Sequence, residues 1–164
     1  MVPRESSEWL EPDGLGGFAS GTSTGLRTRR YHALLLCAAT PPTGRVVLVN
    51  GVDAWIETPT GTYALSSQRY APDVVHPDGA TRLDAFSDDP WPSWRYVLDD
   101  GTRVDHEVIG QRGRSRVLAS WTVSNAAGPC TLAVRPFLSG RDYHALHHEN
   151  GAFRFEPAQE GSRL

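Results

Sequence analysis

Short apolar runs separated by clusters of Gly, Pro, Asn and Asp recur along the chain, and helical spacing of apolar residues is nearly absent. That pattern belongs to antiparallel sandwiches and barrels, whose strands reverse at residues that accept turn geometry. Tyr31–Ala39 reads as a buried strand. Arg45–Val49 and Val52–Glu57 flank Asn50-Gly51, a dipeptide that accepts positive φ at both turn positions and predicts a tight hairpin. Trp94–Leu98 and Thr102–Ile109 flank Asp99-Asp100-Gly101 and predict a second one. Arg116–Ser124 places Val117, Ala119, Trp121 and Val123 on one face; Cys130–Leu138 follows the turn Asn125–Pro129, and Ala152–Glu156 reads as one more strand. The expected fold is all-β: one antiparallel sandwich domain over residues 1–164.

Three stretches, 10–30, 66–82 and 139–150, read as long irregular loops. Loops of that length in a compact domain are usually functional or docked against something. Each carries aromatics, Arg or His rather than a Ser/Gly/Glu tract, which argues against linkers. The polar tail Pro157–Leu164 reads as a frayed end or the start of a linker.

The 164 residues suit one domain that buries roughly 70% of its unfolded surface without staples. Five Trp, 5 Tyr and 5 Phe compensate for a modest hydrophobic fraction of 39%. Net charge is only −3, so a nucleic acid has no general electrostatic attraction to use. All 16 basic residues are Arg, so Schiff-base and phosphate-loop lysine chemistry is excluded. No apolar run nears the roughly 18 residues that span a membrane, and the first residues lack the apolar core of a signal peptide. A cytoplasmic protein is therefore expected, with Cys37 and Cys130 as buried thiols rather than a disulfide.

Gly14-Leu15-Gly16-Gly17-Phe18-Ala19-Ser20-Gly21 has the look of a dinucleotide loop. Such a loop needs a strand before it and a helix after it, and Thr22-Ser23-Thr24-Gly25 does not start a helix readily. A turn needing unusual φ or close backbone approach is the better reading. His144, His147, His148 and Glu149 crowd four possible metal ligands into six residues, but the flanking glycines leave little helix to converge them. No metal or organic cofactor is expected. Asp105 and Glu107 share a strand face about 7 Å apart, a spacing compatible with glycosidase chemistry but common in any strand. No catalytic residue is assigned.

Arg29-Arg30-Tyr31-His32 and Arg141-Asp142-Tyr143-His144 each lie in or beside a long loop. Planar donors, an acceptor and aromatic faces are what sugar hydroxyls require, although ordinary ion pairs and core-edge aromatics would use the same residues. Trp91 and Trp94 suit either stacking on sugar or burial.

Together these segments resemble the N-terminal domain of bacterial and archaeal glycogen debranching enzymes of the amylo-α-1,6-glucosidase type. The resemblance rests on Glu8-Trp9-Leu10, the glycine run, Arg27–Leu35, Ser67–Tyr70, Val75–Gly79, Asp89–Trp94 and Phe137–Leu146, in that order over residues 8–150. Ala33 stands where the family often has Gly. The resemblance implies a β-supersandwich that packs on a C-terminal (α/α)₆ barrel, absent from this chain, where the catalytic carboxylates reside. It implies that the chain alone does not hydrolyse the α-1,6 bond, and that its partners are the barrel and an α-glucan such as glycogen or branched oligosaccharides. Candidate glucan-binding or barrel-interface residues are Arg29, Arg30, Tyr31, His32, Arg69, His76, Trp94, Arg141, Asp142, Tyr143 and His144. A self-sufficient carbohydrate-binding module, a purely structural interdomain sandwich and a small metal-dependent sandwich enzyme remain the alternatives.

Overall fold

The computed structural model describes residues 7–146 together with His148 and Glu156. Twelve strands account for almost all of the regular structure. The first five are β1 (Glu8–Pro12), β2 (Phe18–Thr22), β3 (Ala33–Thr40), β4 (Thr43–Thr58) and β5 (Gly61–Ala64). They are followed by β6 (Gln68–Tyr70), β7 (Val74–His76), a 3₁₀ turn at Gly79–Arg82 and β8 (Leu83–Ser87). The last four are β9 (Ser93–Val97), β10 (Arg103–Gly110), β11 (Val117–Ser124) and β12 (Thr131–Asp142). One sheet runs β1-β2-β3-β4-β12 with β5 also on β4; a second runs β11-β10-β9-β8; β6 and β7 form a separate pair. Every strand pairing is antiparallel. No helix among the described residues is long and apolar enough to cross a membrane.

The two larger sheets enclose the main core. Trp9 of β1 meets Trp94 of β9 edge to face at 5.5 Å. Ala54, Ile56, Leu65, Tyr96, Leu98, Val104 and Val108 fill the space around them. On β10, Val104 and Val108 point into this core while Asp105 and Glu107 point out, the period-two alternation of a half-buried strand. The second hairpin forms as expected: Gly101 takes φ +82° and the Asp100 carboxylate accepts the Thr102 N–H at 2.9 Å. Cys37 and Cys130 are unbridged and half-buried.

Several expectations are corrected. Asn50-Gly51 is not a hairpin. β4 runs unbroken through it because β12 pairs along its length, from Thr131 opposite Glu57 to Asp142 opposite Val46. The dipeptide falls instead at a shift of register, where a bulge absorbs the extra residue. The chain reverses before and after, between Thr40 and Thr43 and between Thr58 and Gly61.

The supposed loop 10–30 contains β2 and the end of β1, and its glycine run is the turn between them. Asp13 Oδ1 accepts the N–H groups of Leu15 and Gly17 at 2.7 and 2.9 Å, and Gly16 sits at φ +102°. A Cβ on Gly16 would lie 2.5 Å from the Pro42 carbonyl oxygen, so only glycine fits. Segment 66–82 holds β6, β7 and the 3₁₀ turn, and 139–142 is the end of β12. The strands β5 and β8 were not anticipated. The strand read at 152–156 lies, apart from Glu156, outside the described residues, as do His147, Glu149 and the tail 157–164.

Among the described residues, nothing covers one side of the sandwich. Leu132 and Val134 of β12 lie directly opposite Ile56 and Ala54, so their side chains share the core-facing side of the sheet. Yet they are 38% and 41% exposed, while Ile56 and Ala54 are buried.

Candidate functional site

The two motifs that stand some 110 residues apart converge at the end of β12. Asp142 ends that strand and folds the chain back: its carbonyl accepts the Ala145 N–H at 3.0 Å and its Oδ1 accepts the His144 N–H at 2.8 Å. This carboxylate-closed turn presents Tyr143 and His144 to Tyr31, two residues before β3. Tyr31 and Tyr143 rings lie 5.7 Å apart, and the Tyr31 hydroxyl is 3.2 Å from His144 Nδ1.

Guanidinium groups hold the turn in place. Arg141 Nη1 donates to the carbonyls of Tyr143 and Ala145 at 3.2 and 3.0 Å. Its Nη2 donates to the Arg30 carbonyl and to Asn50 Oδ1. Arg30 returns a bond from Nη1 to the His144 carbonyl at 2.8 Å and lies over the Tyr31 ring. Arg45 covers Tyr143 at 5.5 Å and anchors to the Gly16 carbonyl at 2.9 Å. Burial lowers the Arg141 pKa, and neighbouring Arg30 lowers it further against the pull of Asp142. Both terminal nitrogens of Arg141 are engaged by protein acceptors, so it positions the aromatic pair rather than offering itself to a ligand. The free chemistry of the cluster is therefore two phenolic rings, the exposed imidazole of His144 and the outward side of Arg30.

The other expected site residues are placed elsewhere. Arg29 pairs with Glu8 at 2.5 Å, and Glu8 also faces His32 Nε2 at 3.5 Å. His32 is buried and accepts the Thr28 N–H on Nδ1 at 3.1 Å, which puts its own proton on Nε2. Burial lowers its pKa, outweighing Glu8, so it is neutral at pH 7. His32 thus props the segment that carries Tyr31 from inside. Arg69 and His76 are exposed on the β6–β7 ribbon, and Arg69 faces Asp73 at 3.5 Å. Trp94 is 4% exposed and its Nε1 donates to the Ser23 carbonyl at 2.9 Å. It belongs to the core.

Sequence reading missed Arg45 and Asn50, and it also missed a network beside them. Asp53, 1% exposed, accepts from Ser66 Oγ at 3.2 Å, Gln68 Nε2 at 3.1 Å and Arg135 Nη2 at 2.7 Å. Gln68 in turn accepts from Arg27, whose pKa burial lowers against the attraction of Asp53. Of these, only Gln68 and Arg27 stood in motifs singled out above; β4–β12 pairing brings Arg135 to Asp53, and the β4–β5 hairpin brings Ser66.

Asp105 and Glu107 are both engaged. Asp105 pairs with Arg95 at 2.8 Å, and Glu107 accepts from Trp91 Nε1 at 2.9 Å and from Ser120 Oγ at 3.2 Å. No cluster of His, Cys, Asp and Glu among the described residues converges as a metal site. The cavity between the sheets, reached past Arg27, Asn50 and Gln68, measures about 100 Å³. That is room for a few waters and well under the roughly 300 Å³ at which organic ligands are enclosed. Any sugar must be met on the surface.

The family model described as "Glycogen debranching enzyme N terminal" matches residues 7–163. No curated protein and no solved structure matches the chain.

Proposed function

The chain belongs to the glycogen debranching enzyme N-terminal domain family, and from that premise we propose that it is a non-catalytic module that shapes the glucan cleft of such an enzyme. In this reading an (α/α)₆ barrel outside the chain hydrolyses the α-1,6 bond of glycogen or a related α-glucan. The sandwich packs beside it and lends its Tyr31–Tyr143–His144 surface to the cleft edge. The observation that carries the reading is the convergence of two distant Arg/Tyr/His motifs on one partly exposed aromatic surface backed by guanidinium groups. Stacking on a phenol ring and hydrogen bonds from imidazole and guanidinium suit a neutral polyhydroxylated ring. The unbridged thiols fit a reducing, cytoplasmic setting.

A structural role in the same enzyme is favoured by a different feature, the core-side residues Leu132 and Val134 of β12, which no described residue covers. Apolar side chains on the core side of an edge strand call for a covering polypeptide. The two roles are compatible, since the uncovered stripe and the aromatic cluster occupy opposite ends of the same strand. Calorimetric titration of the folded chain with maltooligosaccharides tests the first. Saturable binding, weakened by Tyr143→Ala or Tyr31→Ala, is expected. No binding up to millimolar sugar would assign the cluster to the interface with the barrel instead.

A further inference from the structure

A second polar surface lies on the far side of the sandwich, on the face of the β8–β11 sheet that points away from the core. Register aligns its outward side chains in two rows across the strands. Ala85, Arg95, Asp105 and Thr122 form one; Ser87, Ser93, Glu107 and Ser120 form the next. The rows stand about 7 Å apart, two residues along each strand. Small residues, Ala85 and Ser87 on β8, Ser93 on β9 and Thr122 on β11, leave space beside taller Arg95, Asp105 and Glu107. The result is a groove of about 380 Å³, inside the size range of small-ligand sites.

Its polar groups are fixed by each other yet not used up. Arg95 Nε holds Asp105 Oδ1 at 2.8 Å, and Nη2 approaches Oδ2 at 3.5 Å. Glu107 is held from two sides, by the indole N–H of Trp91 at 2.9 Å and by Ser120 at 3.2 Å. A carboxylate oxygen accepts about two hydrogen bonds, so both acids keep free lone pairs, and the outer Nη1 of Arg95 keeps donors. Arg95 and Asp105 cancel in charge, so Glu107, with Asp84 acting on Arg95 from β8, leaves the groove negative. Such a lining repels anions, and its free carboxylate acceptors and guanidinium donors match a ligand rich in hydroxyl groups. Trp91, half-buried beside the groove, fixes the Glu107 carboxylate through its Nε1.

We propose that this outer groove, built on Arg95, Asp105 and Glu107 and flanked by Trp91, is a second surface subsite for a neutral sugar unit of an α-glucan. The identity of the sugar rests on the function proposed above; the groove's match to a hydroxylated ring rests on its own donors and acceptors. Two glucan contacts on opposite faces would let the module hold a branched polymer by more than the chain being cut, raising the effective concentration of the next branch.

The test is a calorimetric titration of the whole chain with maltotetraose, comparing the unaltered protein with Thr122→Arg, Glu107→Gln and Tyr143→Ala. Thr122 is exposed, so an arginine there fills the groove without entering the core. Two sites are expected in the unaltered protein. Thr122→Arg and Glu107→Gln should each weaken one of them at least about tenfold, equivalent to about 1.4 kcal/mol, while Tyr143→Ala spares it. Binding that only Tyr143→Ala weakens overturns the groove and leaves the cleft reading standing. Binding that only the groove variants weaken does the reverse. No binding by the unaltered protein overturns both as sugar sites.

Discussion

Acidification from pH 7 to pH 4 tests the packing of the second sheet through one side chain, His106. Its imidazole is stacked between Trp94 at 5.3 Å and Trp121 at 4.4 Å, with interplanar angles of 22° and 9°. Nδ1 lies 2.9 Å from the Ser120 carbonyl, an acceptor only, so Nδ1 carries the proton and Nε2 is bare. Burial is the largest influence and pushes the pKa from 6.5 down to about 4, against the smaller opposing effects of the Ser120 carbonyl and Glu107.

The sign follows from linkage. Above pH 6.5 His106 is neutral in both the folded and unfolded chains, and its contribution to stability is fully present. Between pH 6.5 and about 4 the unfolded chain takes up a proton that the folded one refuses, so stability falls with pH. At roughly 1.4 kcal/mol per pH unit the loss is at most about 3 kcal/mol, and partial solvent access brings it nearer 2. Urea denaturation at pH 7.5, 5.5 and 4.0, on the unaltered chain and on His106→Phe, isolates this term. Phe keeps the stacking and cannot titrate, while other acid-sensitive groups, His32 among them, are common to both proteins and cancel. The unaltered chain should lose about 2 kcal/mol more than the variant across this range. Equal losses would refute the buried, neutral imidazole.

Arg141→Ala removes the clamp on the Asp142–Ala145 turn. It should cost about 1 to 3 kcal/mol in thermal or urea melts and speed amide exchange at His144 and Ala145, with Arg141→Lys a poor substitute because one ammonium cannot serve the same spread of acceptors. Asp53→Ala strips the acceptor shared by Ser66, Gln68 and Arg135 and should destabilise by about 2 to 4 kcal/mol, measured by urea denaturation. Arg135→Ala should cost less, about 1 kcal/mol, because Arg135 is 64% exposed and Ser66, Gln68 and Arg27 still face the Asp53 carboxylate. Asp100, held by hydroxyls of Thr60 and Thr58 and by the Thr102 N–H, should titrate in an NMR series with a midpoint of about 2 rather than 3.8. Its help to the β9–β10 turn is therefore fully present above the ordinary carboxylate range and is lost as pH falls from 3.8 through about 2.

Local pattern was enough for some of this molecule. Alternation on residues 102–109 and the Asp-Asp-Gly turn before them determined the β9–β10 hairpin, because a tight reversal between two half-buried strands uses only neighbours in sequence. The chemistry of the Arg/Tyr/His motifs was legible for the same reason: donors, acceptors and rings are properties of residue type. Asn50-Gly51 marks the limit. As a dipeptide it favours a turn, yet it lies within β4 because β12, more than seventy residues later, pairs along that strand, and a run of ladder bonds outweighs a two-residue preference. Burial of Trp94 was likewise undecided until β1 brought Trp9 against it. The roles within the site were a tertiary decision too. Arg141 and Arg30 share a residue type, but five acceptors gathered from three segments occupy Arg141, while Arg30 keeps an outward side. Residue order alone dictates an all-β chain and the kinds of group it can present. Which of those groups are buried, spent on one another or left free depends on strand pairing between distant segments, and pairing energy is shared across whole strands rather than carried by any local motif.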